Sequence, residues 1–427
     1  MTAGTSAPLP RWKTILFSLV LVFLVCGVLE VAARWYLKLF EGFDGQHLMQ
    51  YEFDPYKSNR PTPNYVDTRG IHHNGQGFRR LSDVSVQKPA GTYRIFLMGG
   101  SAAYGQGGLW PHIQRDYAVI KDSETISANL ERYLADSFPS KRIEVINAAI
   151  ISDWTHHHLI YLNQTVLNYH PDMVLFMDGF NDFFFTDKDH DQFASYAYQE
   201  RSRVIMGDPT LYSLAYMNGW WLFRKSAFAN VAMRALRNLK LLLRRHGERT
   251  PFDVGRAMEG LQEVFPRSAL RMDRRIGLLL QDERITAVFM LQPMLILERN
   301  HKPMPQIEQK LFDFYVASYI PNYEALMRQA VPYVRDQEAS MARQVGGHFI
   351  DLTPIYAGVP EQVYTDYCHL TPLGNALLAR YVGNKIIRWI RADMARNAAM
   401  PAAGTRKDLG DDGRHSSPWL DDYNLGR

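Results

Sequence analysis

Apolar positions along the chain follow two periods. Short unbroken runs occur at Arg94–Met98 (RIFLM), Ile143–Ile146, Met173–Met177, Thr286–Leu291 and His348–Leu352. Runs of that length suit strands buried on both faces. Between them the spacing turns helical. Ile126, Leu130, Tyr133 and Leu134 share one face of a helix over Ser123–Phe138, with Ser123 in the capping position. A second helix is expected over Thr155–Tyr169, closed by Pro171, and a third from Leu373 to about Met394, opened by Thr371 and Pro372. Strands alternating with helices predict an α/β domain with a parallel sheet covered on both faces. Residues 41–90 carry Pro61, Pro63, Gly70, Gly75 and Gly77 and read as an extended lead-in with short strands.

The N-terminus has no polar face at all. TILFSLVLVFLVCGVLEVAA, Thr14 to Ala33, holds one charge, Glu30. A helix of about 20 such residues spans roughly 30 Å, a bilayer core. Arg11 and Lys13 precede it and place the N-terminus in the cytoplasm. The alternative is a cleaved signal peptide ending at Val31-Ala32-Ala33. The expected layout is a cytoplasmic tail (1–13), a transmembrane anchor in the inner membrane (14–34), the lead-in (41–90), and an extracytoplasmic, periplasmic α/β domain (91–398). A helical insertion at about 183–284 interrupts that domain between the third and fourth strands. The tail 399–427, rich in small and charged residues, is expected to be disordered.

The insertion contains Trp220 to His246, a basic amphipathic stretch. Phe228, Ala232, Leu236, Leu239 and Leu243 form one stripe, and Arg234, Arg237, Lys240 and Arg244 the opposite one. It reads as a helix packed on the domain or as one lying on the membrane beside the anchor.

A net charge of +4 over 427 residues, with no recognisable nucleic-acid module, gives no reason to expect nucleic acid. Cys26 and Cys368 are the only cysteines, so neither a disulfide framework nor a cysteine zinc site is expected.

The chemistry gathers at the strand ends, where open parallel sheets bind ligands. The first strand runs into Gly99-Gly100-Ser101-Ala102-Ala103-Tyr104-Gly105. This imitates the front of a phosphate loop, but Gln106-Gly107 replaces the lysine and hydroxyl that nucleotide binding needs. A serine nucleophile needs a base, an orienting group and oxyanion donors. After the last strand, Asp366 and His369 stand three residues apart. After the third comes Asp178-Gly179-Phe180-Asn181-Asp182, and after the second Asn147 to Asp153, which includes Ser152. Tyr104, Trp110, Trp154, Phe180 and Tyr367 flank these segments. His156-His157-His158 point about 100° apart on a helix and do not converge on one ion. Asp187, Asp189, His190 and Asp191 read as a solvated acidic loop.

Taken together, these blocks resemble the SGNH, or GDSL-type, hydrolases, membrane-anchored bacterial members in particular. Gly99-Gly100-Ser101 matches the nucleophile block, with glycine where the motif carries aspartate at 100. Asn147 to Asp153 matches the second block, with Ser152 in place of the oxyanion glycine. Gly179-Phe180-Asn181-Asp182 and Asp366-x-x-His369-Leu-Thr-Pro are intact, and Asn74 to Arg79 resembles a segment that precedes the domain. The resemblance implies a flavodoxin-like three-layer α/β/α sandwich of strand order 2-1-3-4-5, with no metal or cofactor. It implies Ser101, His369 and Asp366 as catalytic residues, and Ser101, Ser152 and Asn181 as oxyanion donors. Gly179, Tyr104 and Trp154 are candidate substrate contacts. The expected activity is that of a serine esterase or O-acyltransferase on small acyl esters, of cell-surface or exported polysaccharide. The alternatives are a lipid esterase at the membrane and a non-catalytic glycan-binding or assembly protein.

Overall fold

This computed structural model describes residues 10–43, 48–54, 56–110, 113–114, 116–184, 211, 222, 225–243, 253–299, 301–318 and 322–399. The expected tails up to residue 9 and from residue 400, the acidic residues 187–191 and much of the insertion lie outside them.

Helix α1 is the apolar N-terminal segment, Arg11–Glu41, long and apolar enough to cross a membrane. The lead-in forms two small antiparallel pairs, β1 (Tyr51–Asp54) with β2 (Ser58–Pro61) and β3 (Val66–Asp67) with β4 (Ile71–His72). Next come β5 (Thr92–Gly99), α2 (Ser101–Tyr104), α3 (Ile126–Ser137), β6 (Arg142–Asn147), α4 (Thr155–Gln164), β7 (Met173–Asp178) and α5 (Phe180–Phe184). The insertion contributes α6 (Ala227–Leu243), α7 (Val254–Val264) and α8 (Ala269–Asp282). Then follow β8 (Thr286–Leu291), α9 (Gln306–Ser318), α10 (Tyr323–Gln344), β9 (His348–Asp351) and α11 (Pro372–Ala399).

Among the described residues the central sheet has five strands, all parallel, in the order β6-β5-β7-β8-β9. In chain order that is 2-1-3-4-5, the order expected from the sequence. Every residue of β5 is buried, because helices cover both of its faces. On one face Phe96, Met98, Val174, Phe176 and Phe289 pack with Leu162 of α4, Ile276 and Leu280 of α8, and Ala342 of α10. Contacts divide the chain into Met1–Lys385 and Ile386–Arg427, and every site residue discussed below lies in the first unit.

Three sequence expectations change in detail. The cap of α3 is Thr125, whose hydroxyl accepts from the Ala128 N–H, while Ser123 sits in a preceding 3-10 turn, Asp122–Glu124. The second helix stops at Gln164, and Val166–Tyr169 tightens into a 3-10 turn before the left-handed His170. The last helix runs on to Ala399.

Candidate active site

The turn after β5 depends on close approach. At Gly99, φ is +151°, and a Cβ there would lie 2.4 Å from the Met177 carbonyl oxygen and 2.7 Å from the Ala103 methyl. Only glycine fits both the conformation and the space. The chain then enters α2, which places Ser101, partly exposed, at the carboxyl end of the central strand.

Ser101 Oγ lies 2.8 Å from His369 Nε2, and His369 Nδ1 lies 2.7 Å from Asp366 Oδ2. These residues are 268 and 3 positions apart in the chain, so only the fold makes the first contact. Asp366 is fully buried. Its Oδ1 accepts from the N–H groups of Cys368 (3.0 Å) and His369 (2.9 Å), and its Oδ2 from that of Leu109 (2.9 Å). Burial pushes the Asp366 carboxyl up, but His369 and these N–H donors outweigh it and hold it below the usual range. Burial lowers the His369 imidazole, yet Asp366, with Cys368 beside it, raises it well above its ordinary value. An ionised Asp366 accepts a hydrogen bond from the Nδ1–H and leaves Nε2 free to accept one from the Ser101 hydroxyl. Asp366, Cys368 and His369 also form the one grouping of three potential metal ligands among the described residues. Both Asp366 oxygens and His369 Nδ1 are already committed to the hydrogen bonds above.

The loop after β6 carries Ser152, and the Ile150 N–H of that loop donates to the Gly99 carbonyl at 3.0 Å, beside the turn that presents Ser101. The φ of Ser152 is +65°, the left-handed conformation open to glycine, which costs serine about 1–2 kcal/mol. Serine at 152 therefore preserves a glycine-like backbone. The Ser152 N–H donates to nothing among the described residues. Asn181, at the start of α5, donates from Nδ2 to the Asp153 carbonyl at 2.7 Å, which leaves its second amide proton for another acceptor. Gly100 makes room for that amide: a Cβ at 100 would lie 2.5 Å from Asn181 Nδ2. Its φ of −82° is ordinary, so space and not conformation requires glycine there. Gly100→Ala is expected to displace Asn181 and lower kcat by roughly 10²–10³, the cost of one oxyanion donor. Aryl acetate kinetics check this, and unchanged kcat would remove Asn181 from the site.

The remaining sequence candidates have other surroundings. Tyr104 is buried at the far end of α2 from Ser101. Its hydroxyl meets His73 Nε2 at 2.8 Å and also Gln50, and burial pushes it up to about 12. It faces the lead-in and supports α2. The Arg79 guanidinium lies 4.5 Å over the Tyr104 ring and donates to the carbonyls of Tyr104 and Gly105, both at 2.8 Å. Sequence reasoning noticed the segment containing Arg79 but not this clamp on the end of α2. Trp154 is buried against His156, with ring centroids 4.2 Å apart. Gly179 has φ +139°, and a Cβ there would press on Leu291, Gln292 and Met294. Phe180, Trp110 and Tyr367 pack on one another and on α9 and α10, with Tyr367 6.0 Å from the His369 ring. His157 and His158 turn to different carboxylates, Asp153 and Asp178, each at 3.2 Å.

No protein-family model matches this sequence, and no curated protein matches it. Solved structures do match. LAE5, an alpha/beta hydrolase from the Lake Arreo metagenome, is 13% identical with a TM-score of 0.34, covering 67% of this chain and 91% of its own. The acetylxylan esterase Axe2 from Geobacillus stearothermophilus is 13% identical with a TM-score of 0.35, over 74% of this chain and 97% of that one. A lipase/acylhydrolase from Enterococcus faecalis is 17% identical with a TM-score of 0.33, over 69% and 95%. The chemistry of the present site is read from its own atoms.

Proposed function

We propose that the protein is a membrane-tethered serine esterase or O-acyltransferase acting on small acyl esters. The observation that carries this reading is the relay from Ser101 through His369 to a buried Asp366, at 2.8 and 2.7 Å. In the reaction, Ser101 Oγ attacks the ester carbonyl as its proton passes to His369 Nε2. The negative oxygen is held by the N–H groups of Ser101 and Ser152 and by the amide of Asn181. The carbon–oxygen bond to the alcohol then breaks, and His369 returns the proton to that leaving oxygen. Water or a second alcohol, deprotonated by His369, attacks the acyl carbon, and His369 returns that proton to Ser101 Oγ as the bond to the acyl group breaks. The departures at 100 and 152 are compatible with catalysis, since Gly100 houses Asn181 and Ser152 keeps the left-handed turn. Cell-surface or exported polysaccharide is the substrate class implied by the sequence resemblance and an extracytoplasmic domain. Rapid hydrolysis of aryl acetates and slow hydrolysis of long-chain aryl esters are expected. The opposite order would favour a lipid esterase.

The tether is α1, and one observation ties the insertion to it. Glu30 accepts from Ser226 Oγ (2.8 Å) and from the N–H groups of Ala227 and Phe228 (both 3.0 Å), so it caps α6 from another helix. Ala33 and Leu37 pack on Ala227 beside it. Helix α6 thus begins where the apolar span gives way to Arg34, Trp35 and Tyr36, with Phe228 and Leu236 exposed. On this reading α6 lies in the headgroup layer of the membrane that α1 crosses. In a Cys26→Ser background, a spin label on Leu236→Cys in the reconstituted full chain should be more accessible to oxygen than to a water-soluble nickel chelate. The reverse would take α6 out of the membrane.

A further inference from the structure

The lead-in segment precedes the α/β domain, yet it reaches the loop that carries Ser152 from both sides. Before Ser152, the Ile151 N–H donates to the Tyr51 hydroxyl of β1 at 3.3 Å. After it, the Asp153 carboxylate lies 3.7 Å from Nζ of Lys57, the residue just before β2. Both charges are buried, with 3% of Lys57 and 1% of Asp153 exposed. Lys57 is fixed by more than this pair. Its N–H donates to Asp54 Oδ1 (3.0 Å), its Nζ donates to the Asn59 carbonyl (2.8 Å), and its ammonium lies 4.6 Å over the Tyr161 ring. The other Asp153 oxygen faces His157 at 3.2 Å. The carbonyl of the same Asp153 takes the Asn181 amide. Two of the three oxyanion donors therefore meet at one residue, and that residue is held by a lysine from outside the α/β domain.

We infer that the β1–β2 hairpin positions the oxyanion loop: Tyr51 and Lys57 grip Ile151 and Asp153 and keep Ser152 in its left-handed turn. Backbone strain of this kind persists only where surrounding structure over-determines it. Serine at 152 supplies the strain, and the hairpin supplies the restraint. A buried ion pair is a poor source of net stability, because desolvation of the two charges offsets their attraction. It is well suited to fixing a geometry. Lys57 is accordingly a positioning residue that acts through Asp153 and touches no substrate. The inference rests on the esterase reading for its consequence in turnover, but the restraint itself is readable without turnover.

The test uses the full-length protein with Lys57→Met, Ser152→Gly and the double variant. Met keeps the length of the lysine stem and removes the charge. Lys57→Met is expected to lower kcat on an aryl acetate by roughly 10- to 100-fold, less than the loss of a whole donor, with KM within about twofold. Glycine at 152 accepts the left-handed turn without a restraint. The double variant should therefore recover at least about tenfold over Lys57→Met, and Lys57→Met should cost less in the Ser152→Gly background than in the wild type. A lysine that only stabilised the fold would give no such selective recovery of kcat when all variants are assayed well below their melting temperatures. Independently of activity, hydrogen exchange in the peptide spanning 150–154 should quicken at least about tenfold in Lys57→Met and stay unchanged in β7 and β8. Wild-type kcat with wild-type exchange in Lys57→Met would overturn the inference. So would a double variant no faster than the single one. A wild-type protein without turnover, whose Lys57→Met variant still shows faster exchange at 150–154, would refute the esterase reading and leave the positioning role standing.

Discussion

Alanine at position 101 is expected to lower aryl acetate turnover by about 10⁵–10⁶, leaving only what the oxyanion donors and binding supply. The expectation follows from where the hydroxyl sits. It is partly exposed, at the first residue of α2, with its proton aimed at an imidazole 2.8 Å away. The change removes one oxygen from a side chain whose hydrogen bond among the described residues is to His369, so the fold and melting temperature should be retained. Kinetics at matched folded fraction check this, and a variant with wild-type turnover would mean that any activity arises elsewhere.

Asp366→Asn is expected to lower kcat by about 10⁴, as loss of the carboxylate behind a catalytic histidine does. Two effects combine. An amide can present its NH₂ to His369 Nδ1, which favours the wrong tautomer, and it no longer stabilises the imidazolium that forms in the transition state. The pH profile gives a second reading. His369 must be neutral to accept the Ser101 proton. Asp366 raises it well above 6.5, so protonated His369 persists to higher pH. Activity should therefore rise with pH, with the midpoint of its acid limb above 6.5. In Asp366→Asn burial acts with less opposition, and that midpoint should move down. A limb that stays in place would show that it belongs to another group.

Much of the sheet was legible because its strands are dense apolar runs. The expected bounds of β8 coincide with those observed, and β5, β6 and β7 differ by one or two residues at their ends. Their ends mattered most, since Ser101, Ser152, Asn181 and the Asp366–His369 pair all follow strands, and chain order alone put them at one edge of the sheet. What stayed unread had weaker or interrupted signals. Helix α10 contains Pro332, a residue that argues against a helix interior, although its buried face keeps the helical spacing. Helices α7 and α8 carry a helical period, in Met258, Leu261 and Val264 and in Met272, Ile276 and Leu280, within the stretch expected only as a helical insertion. Ser123 and Thr125 are both hydroxyl residues, and only the observed bond to Ala128 chooses between them. The supports of the site were beyond any local pattern. Lys57 meets Asp153, and Arg79 meets the end of α2, across long stretches of chain. Both supports come from the segment that the sequence presents as a mere lead-in.

Gly100 and Ser152 each answer to local geometry. A side chain at 100 would occupy the place of the Asn181 amide, so the glycine leaves room for it. The serine at 152 adopts a left-handed backbone at a cost in strain, and the hairpin contacts at Ile151 and Asp153 surround that strained turn.

The most direct measurement is the mass of the intact protein after treatment with a fluorophosphonate, followed by location of the adduct. The account predicts one phosphonyl group per chain, carried on Ser101, and none on Ser101→Ala or on wild type at a pH low enough to protonate His369. A folded protein that takes up no reagent at a pH high enough to leave His369 neutral, or carries it on a different residue, would contradict the account.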